Sequence, residues 1–324
     1  MPSEAPKTKS LALRILGRLG AGLLSVLFVA LVTFVADELA PGDAVLAIAG
    51  EKARPEIVEQ IRREYGLDKP VLQRFVAYLG GAFTGDLGHS YFGSQEPVIA
   101  IIKRSLPLTA LLASCALAFA MFWGVLLGTL AALKENKWPD RLALAVSTLG
   151  VTIPNFVLIP LLVFVFVLRM DLLPLTWETN LRANIAYYLV LPVLVLAARP
   201  LAVLTRLTRA AMVDTLQMQF MQFARAKGVP GPRRAVRHAL RHALPPVITA
   251  AGTTFGYLLT GSFITETAFT IPGLGKAAID AIKRRDTPVV MGVALVTAVL
   301  YVLVNLIVDL VQPLLDPRLR ESQV

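Results

Sequence analysis

His238 and His242 stand four residues apart, a spacing that puts two imidazoles on one face of a helix and would suit a metal ion. No HExxH pattern surrounds them and each follows an arginine, so no zinc site is expected. Gly275-Lys276 is the place to look for a phosphate loop. Residue 270 is threonine where that loop needs its first glycine, Ala277 stands where a magnesium-binding hydroxyl belongs, and no strand precedes the pair. Ser114, Ser147 and Ser262 lie in apolar runs without a His and Asp arrangement, which leaves intramembrane hydrolysis unsupported. What remains is charge. Between Arg206 and Pro246 the cations Arg206, Arg209, Arg225, Lys227, Arg233, Arg234, Arg237 and Arg241 face the single acid Asp214.

Two elements are needed to present those cations. Asp214 to Lys227 reads as one helix with Met212, Leu216, Phe220 and Phe223 on a common face, stopped by Gly228, Pro230 and Pro232. A second helix opens at Pro232. Its apolar stripe is Val236, Ala239, Leu240, Ala243 and Leu244, beside a basic stripe of Arg233, Arg237 and Arg241.

The surroundings of this stretch are membrane-like. Hydrophobic residues make up 56% of the 324, charged residues 17%, and the mean hydropathy is positive, whereas a soluble domain has roughly 25% charged residues. The net charge of +10 gathers beside apolar runs, where the positive-inside rule accounts for it, so nucleic acid is not an expected partner. Cys115 is the one cysteine, read as a small buried packing residue, and no disulfide framework is available.

Six spans are expected, at residues 19–36, 106–133, 142–168, 185–204, 247–265 and 289–311, with both ends in the cytoplasm. The first is read as a retained helix rather than a cleaved signal. The third carries Pro154 and Pro160, which a membrane helix tolerates when neighbours satisfy the freed carbonyls. The fourth holds Arg199 beside Pro200, and the fifth is rich in small residues, among them Gly252, Gly256 and Gly261. Residues 37–104, with ten acids and eight bases, form a packed external cap. In it, Pro55–Tyr65 and Val71–Leu79 read as helices, and Gly80, Gly81, Gly85 and Gly88 break the stretch after Leu79. Lys283, Arg284 and Arg285 fall on the outer side, against the charge rule.

A set of short stretches then occurs in order along the chain. They are Pro41-Gly42-Asp43, Tyr65-Gly66-Leu67-Asp68-Lys69-Pro70, Gly85-Asp86-Leu87-Gly88, Ala224-Arg225-Ala226-Lys227-Gly228 and Arg237 to Pro246. Glu266-Thr267 leading to Ile271-Pro272-Gly273-Leu274-Gly275, Asn305 to Asp309, and Leu315-Asp316-Pro317-Arg318 complete it. Together they resemble the permease subunits of dipeptide, oligopeptide and nickel-type ABC importers over nearly the whole chain.

The resemblance implies an all-α membrane protein with six transmembrane helices and the type I ABC importer permease (MetI-like) fold. Residues 1–36 would be leader and first helix, 37–104 the external cap, 105–320 the core permease unit with a cytoplasmic coupling loop at 206–246, and 321–324 a polar tail. It further implies a second, homologous permease subunit, two cytoplasmic ATPase subunits that bind ATP and magnesium, and an extracytoplasmic solute-binding protein. The chain itself would hold no cofactor and no metal. Phe220, Gln222, Phe223, Ala224, Arg225, Ala226, Lys227 and Gly228 are the expected contact with the ATPase, with Phe220 and Phe223 as apolar anchors. Gln222 stands where the family has a glutamate, so that charge contact is missing.

Arg199 is the residue expected to line the solute path, since a cation inside a span turns to water or to a partner. Asp309 is expected to pair with a base near the inner boundary. The rival reading, an ion-coupled carrier, would need carboxylates at the membrane centre and repeated halves, and the sequence offers neither.

Overall fold

A computed structural model describes residues 11–40, 44–50, 53–178 and 185–315. Pro41-Gly42-Asp43, the residues after Leu315 and the leader before Leu11 lie outside the described residues. The described residues form α1 (Leu11–Leu39), α2 (Ala44–Ala49), α3 (Pro55–Glu64), α4 (Val71–Thr84), α5 (Val98–Leu133), α6 (Trp138–Thr152) and α7 (Asn155–Val163). A π-helical stretch, Phe164–Arg169, extends α7. There follow α8 (Ile185–Gln217), α9 (Gln219–Ala226) and α10 (Gly231–Arg233), which runs through a second π stretch, Arg234–Leu240, into α11 (Arg241–Gly261). Last come α12 (Phe263–Ala268), α13 (Leu274–Arg284) and α14 (Thr287–Leu315).

Among the described residues, four helices are long and apolar enough to cross a membrane: α1, α5, α8 and α14. The expected third span is not one straight helix. α6 and α7 meet at Ile153-Pro154 with a bend of 107°. Pro154 biases Ile153 to extended backbone, and the observed ψ of 117° there ends α6. Pro160, by contrast, is carried inside α7. The expected fifth span is α11, whose 21 residues reach about 31 Å, yet it does not join the apolar set. Six spans therefore remain an expectation, with four or five met by length and composition.

Two helices outrun their predicted spans. α5 has 36 residues, about 54 Å, and starts at Val98 rather than near Leu106. α8 has 33 residues, about 50 Å, and continues past Leu204 to Gln217, so Arg206 and Arg209 continue the helix of the fourth span and Asp214 lies in its last turns rather than opening a helix of its own. Both exceed the ~30 Å of a hydrocarbon core. They also pack closely against each other. Gly124 and Gly128 of α5 face Leu204, Thr205, Thr208 and the Arg209 backbone of α8, and on the other side Gly150 of α6 faces Ala198 and Ala202.

The main core lies where α5, α8 and α11 meet, with Leu112, Ala116, Ala120, Leu191, Val195, Leu204, Val247 and Leu258 buried. A smaller core joins α1, α5, α13 and α14 through Ala30, Val98, Ile102, Leu274, Ala278 and Val293. Cys115 is partly exposed rather than buried.

At the cap end, α3 and α4 contain no buried residue. Helix α4 runs through Gly80 and Gly81 and stops only at Gly85 (φ 83°), so two of the expected breakers do not break it. It is held by Tyr78, whose hydroxyl donates to the Met291 carbonyl (3.0 Å), and by Arg74, paired with Glu38 of α1 (2.7 Å). The loop after Gly85 is held by Asp286, which accepts from the Ser90 hydroxyl and from the Tyr91 amide (3.0 Å). Burial, followed by the Asp37 charge, pushes the Tyr91 phenol up to about 12.

Helix α13 carries Lys283 and Arg284 in its last turn, where a helix C-terminus favours cations. Its first turn has no side-chain cap of its own. Instead Glu266 of α12, fully buried, accepts from the amides of Gly275 (2.7 Å) and Lys276 (3.2 Å) and from the hydroxyls of Thr109 (2.8 Å) and Ser262 (2.7 Å). The Thr109 hydroxyl oxygen accepts in turn from the Leu274 amide (2.8 Å). One carboxylate thus joins α5, α12 and α13.

At the opposite end, Asp309 pairs with Arg18, matching the expected basic partner. Asp140, with 2% of its side chain exposed, accepts two N–H groups of Arg209, from Nε and from Nη2 (2.7 Å), and the Asn136 amide (2.8 Å). This fixes the start of α6 to α8. Asp140→Ala leaves the Arg209 guanidinium, 21% exposed, without its partner. The expected loss is about 2 kcal/mol, below the ~3–5 kcal/mol of a fully buried pair because water still reaches Arg209. The melting midpoint of the detergent-solubilised protein checks it; a double change adding Arg209→Leu should recover part of the loss.

Candidate functional site

The basic stretch folds as three pieces rather than two helices. At Met218 the backbone is extended (φ −66°, ψ 150°), so the expected helix 214–227 is divided: Asp214–Gln217 finish α8, and α9 begins at Gln219. The break rotates the apolar face. Met212 and Met221 are buried together with Ala132, Ala239 and Ala243. Phe220 turns inward too, its ring 4.8 Å from that of His242 on α11. Only one of the two expected anchors is therefore free, since Phe223 is 67% exposed. Gln222, Arg225, Ala226, Lys227 and Gly228 are exposed beside it, and Ala224 is half-buried.

The end of α9 has a local cause. Gly228 has φ 74°, its amide donates to the Arg225 carbonyl (3.0 Å), and the Val229 amide donates to the Ala224 carbonyl (3.1 Å). That pair of bonds is a Schellman motif with glycine at its left-handed position. Gly228→Ala should cost about 1 kcal/mol in melting experiments, because a Cβ disfavours this conformation. Gly228→Pro should do far more, since it removes the amide and fixes φ near −65°. Equal melting of Gly228→Ala and the parent chain would contradict the motif.

After the turn, Gly231-Pro232 opens α10, and the chain passes through the π stretch into α11 without a break. Wider π turns shift the stripe. Ala235, Ala239, Ala243 and Val247 are the buried residues, at spacing four, while Val236 is 62% exposed against expectation. His238 and His242 do not converge on a third ligand. Among the described residues, no three His, Cys, Asp or Glu side chains could hold a metal ion.

Arg199 lies elsewhere, in the middle of α8. Its guanidinium sits 5.6 Å from the centre of the Tyr257 ring of α11, in a groove also lined by Pro200, Val203, Thr253 and Thr254. Sequence reasoning missed Met218, Met221 and Tyr257. Nothing local marks Met218 as a break, and Tyr257 gains its place only from the packing of α11 alongside α8.

The helices run in alternating directions that place α9 at the same end as the start of α1 and the close of α14. Gly252 of α11 meets Val308 and Gly256 meets Tyr301 and Val304, so α14 descends toward Arg241, and Arg18 of α1 joins it there at Asp309. α9 is thus an eight-residue helix hung below the bundle, held by Met221 and Phe220 and showing an apolar and basic outer face.

Comparison with known proteins accounts for this architecture. The family model described as "Binding-protein-dependent transport system inner membrane component" matches residues 124–321, and the model of its N-terminal region matches residues 12–113. The glutathione transport system permease protein GsiC of Escherichia coli K12 is 36% identical over 300 residues, covering 92% of this chain and 96% of the relative. Its counterpart in Pectobacterium atrosepticum is also 36% identical, and that in Shigella flexneri serotype 5b is 35% identical, over the same shares. With both halves of the chain matched and the relatives covered almost end to end, the chain belongs to the family of binding-protein-dependent transport system inner membrane components, the permease subunits of ABC importers.

Proposed function

We propose that this permease passes short peptides or peptide-like solutes inward and is driven by ATPase subunits that dock on α9. The single observation that carries the docking is the orientation of that helix: two side chains, Met221 and Phe220, hold it to the bundle, while Phe223 stands out with Gln222, Arg225 and Lys227 around it. An exposed phenylalanine on an amphipathic helix is suited to a groove in a soluble subunit. The α9 end is then the cytoplasmic one, with both chain termini there, in keeping with its excess of bases. A second permease subunit, two ATPases and a solute-binding protein complete the machine. The ATPases supply nucleotide and magnesium binding. The name of the relatives, glutathione transport, supports a short peptide with free carboxylates as solute.

Phe223→Asp tests the docking without disturbing the Phe220–His242 contact. ATPase copurifying with the permease should fall, and ATP-driven uptake of glutathione in proteoliposomes should drop at least about ten-fold, as loss of a central apolar anchor requires. Wild-type copurification and uptake in this variant would refute the docking. Uptake that stops on ATP depletion but survives collapse of the proton gradient is the expected energetic signature.

A further inference from the structure

The groove at Arg199 carries an inference that rests on the importer reading and deepens it. Among the described residues, Arg199 forms no hydrogen bond and no ion pair, although a guanidinium offers five N–H donors. It is an exposed residue within the apolar length of α8, and its side chain leans across to Tyr257 rather than along α8 toward the basic end. Facing lipid, those donors would stay unsatisfied, so this face must meet water or a polar partner. The helix across the groove agrees. α11 falls short of the apolarity that marks α1, α5, α8 and α14, and it turns Thr253, Thr254 and Tyr257 toward Arg199.

The chemistry of the lining is one-sided. It holds one cation, one aromatic ring and two threonines, and no acid. The threonine hydroxyls donate to the Ala250 carbonyl (3.0 Å from Thr253, 2.6 Å from Thr254), so their protons are already committed and the guanidinium supplies the free donors. The groove has a volume of about 250 Å³, below the ~300–1,000 Å³ of a complete small-molecule site. That is the volume of a partial site, which the second permease subunit of the proposed assembly would complete.

We propose that Arg199 and Tyr257 form an anion-selective station in the solute path, where the guanidinium takes a carboxylate of the passing solute and the Tyr257 ring packs beside it. The solute class is a short peptide or similar acid with a free carboxylate, and the contact is reversible, through charge-assisted N–H donors.

The station can be tested without knowing the solute. In the assembled complex, with Cys115→Ser to remove the native thiol, Thr253→Cys places a reporter on the groove. Its reaction rates are measured with the anionic sulfonatoethyl and the cationic trimethylammonioethyl methanethiosulfonates, each normalised to a free thiol. Both reagents are expected to react, and adding Arg199→Gln should lower the anion-to-cation rate ratio at least about ten-fold, with Arg199→Lys restoring most of it. No reaction with either reagent, or a ratio that Arg199→Gln leaves unmoved, overturns the station. Val203→Cys gives the same measurement should Thr253→Cys fail to assemble. ATP-driven uptake of glutathione by the parent complex is read in parallel. Its absence would overturn the peptide-like solute of the proposed function alone, because the labelling ratio decides on the groove independently.

Discussion

Glu266→Ala is expected to yield no folded permease. The carboxylate accepts from four donors inside the protein, two amides at the start of α13 and two hydroxyls from α5 and the α11–α12 junction. Alanine leaves all four facing a void, and each buried donor without an acceptor costs about 1–3 kcal/mol. The sum is of the order of the whole stability of a typical protein, about 5–15 kcal/mol. Glu266→Gln keeps the shape but turns an NH2 group toward donors, so it should fall between the two. Gly273→Ala should act in the same direction, because its Cβ would lie 2.4 Å from Glu266 Oε2. The measurements are the yield of monodisperse complex and its melting midpoint. A Glu266→Ala midpoint within about 2 °C of the parent would contradict the network.

Gly128→Val is the second change with a large expected effect. A Cβ at 128 would stand 2.6 Å from the Thr205 carbonyl oxygen and 2.7 Å from Thr208 Cβ. Neither obstacle is a flexible side-chain end. The two longest helices would have to part, which breaks the packing of Leu112, Ala116 and Ala120 against α8 and shifts Arg209 relative to Asp140. Overpacking of this kind costs about 1–3 kcal/mol when side chains can adjust, and more is expected here because backbone must move. Gly124→Ala, 2.9 Å from Leu204 Cβ, should be the milder of the two. Melting midpoints in the order parent, Gly124→Ala, Gly128→Val are expected; equal midpoints would mean that α5 and α8 are not locked together by these glycines.

Both changes fall on residues whose role the sequence only half discloses. The stop at Gly228 is legible because glycine followed by two prolines has a local physical meaning, and the Schellman bonds bear it out. The Asp309 partner is legible as a class, since an acid near a basic boundary needs a cation. The break at Met218 is not, because Gln217-Met218-Gln219 contains no residue that disfavours helix; packing of Met212 and Met221 into one cluster imposes it. That break is why Phe220 leaves the exposed face expected of it. The Asp140–Arg209 pair joins residues 69 apart, and no local pattern announces it. Small residues mark the fifth span, yet its Gly252 and Gly256 meet side chains of α14, whereas Gly124 and Gly128 of the second meet the backbone of α8, and four-residue spacing is the available signal there. Gly273 and Gly275, bracketing the turn after Glu266, leave room for a carboxylate, and their spacing is the one local sign of it.

The uneven placement of prolines in α8 has a mechanical consequence. Pro192 and Pro200 lie in its first half, whereas from Leu201 to Gln217 there is none, so every amide of that half can complete its helical bond. The proline-free part is a stiff rod about 25 Å long, with Arg199 beside the softer point at one tip and the Met218 joint to α9 at the other. Tilting the rod by about 10° about Pro200 would carry its far tip roughly 4 Å sideways. Because Gly128 of α5 and Asp140 of α6 grip that rod between Thr205 and Arg209, a displacement imposed on α9 would reach the bundle as a shared tilt of α5, α6 and α8 rather than be absorbed at the Met218 joint.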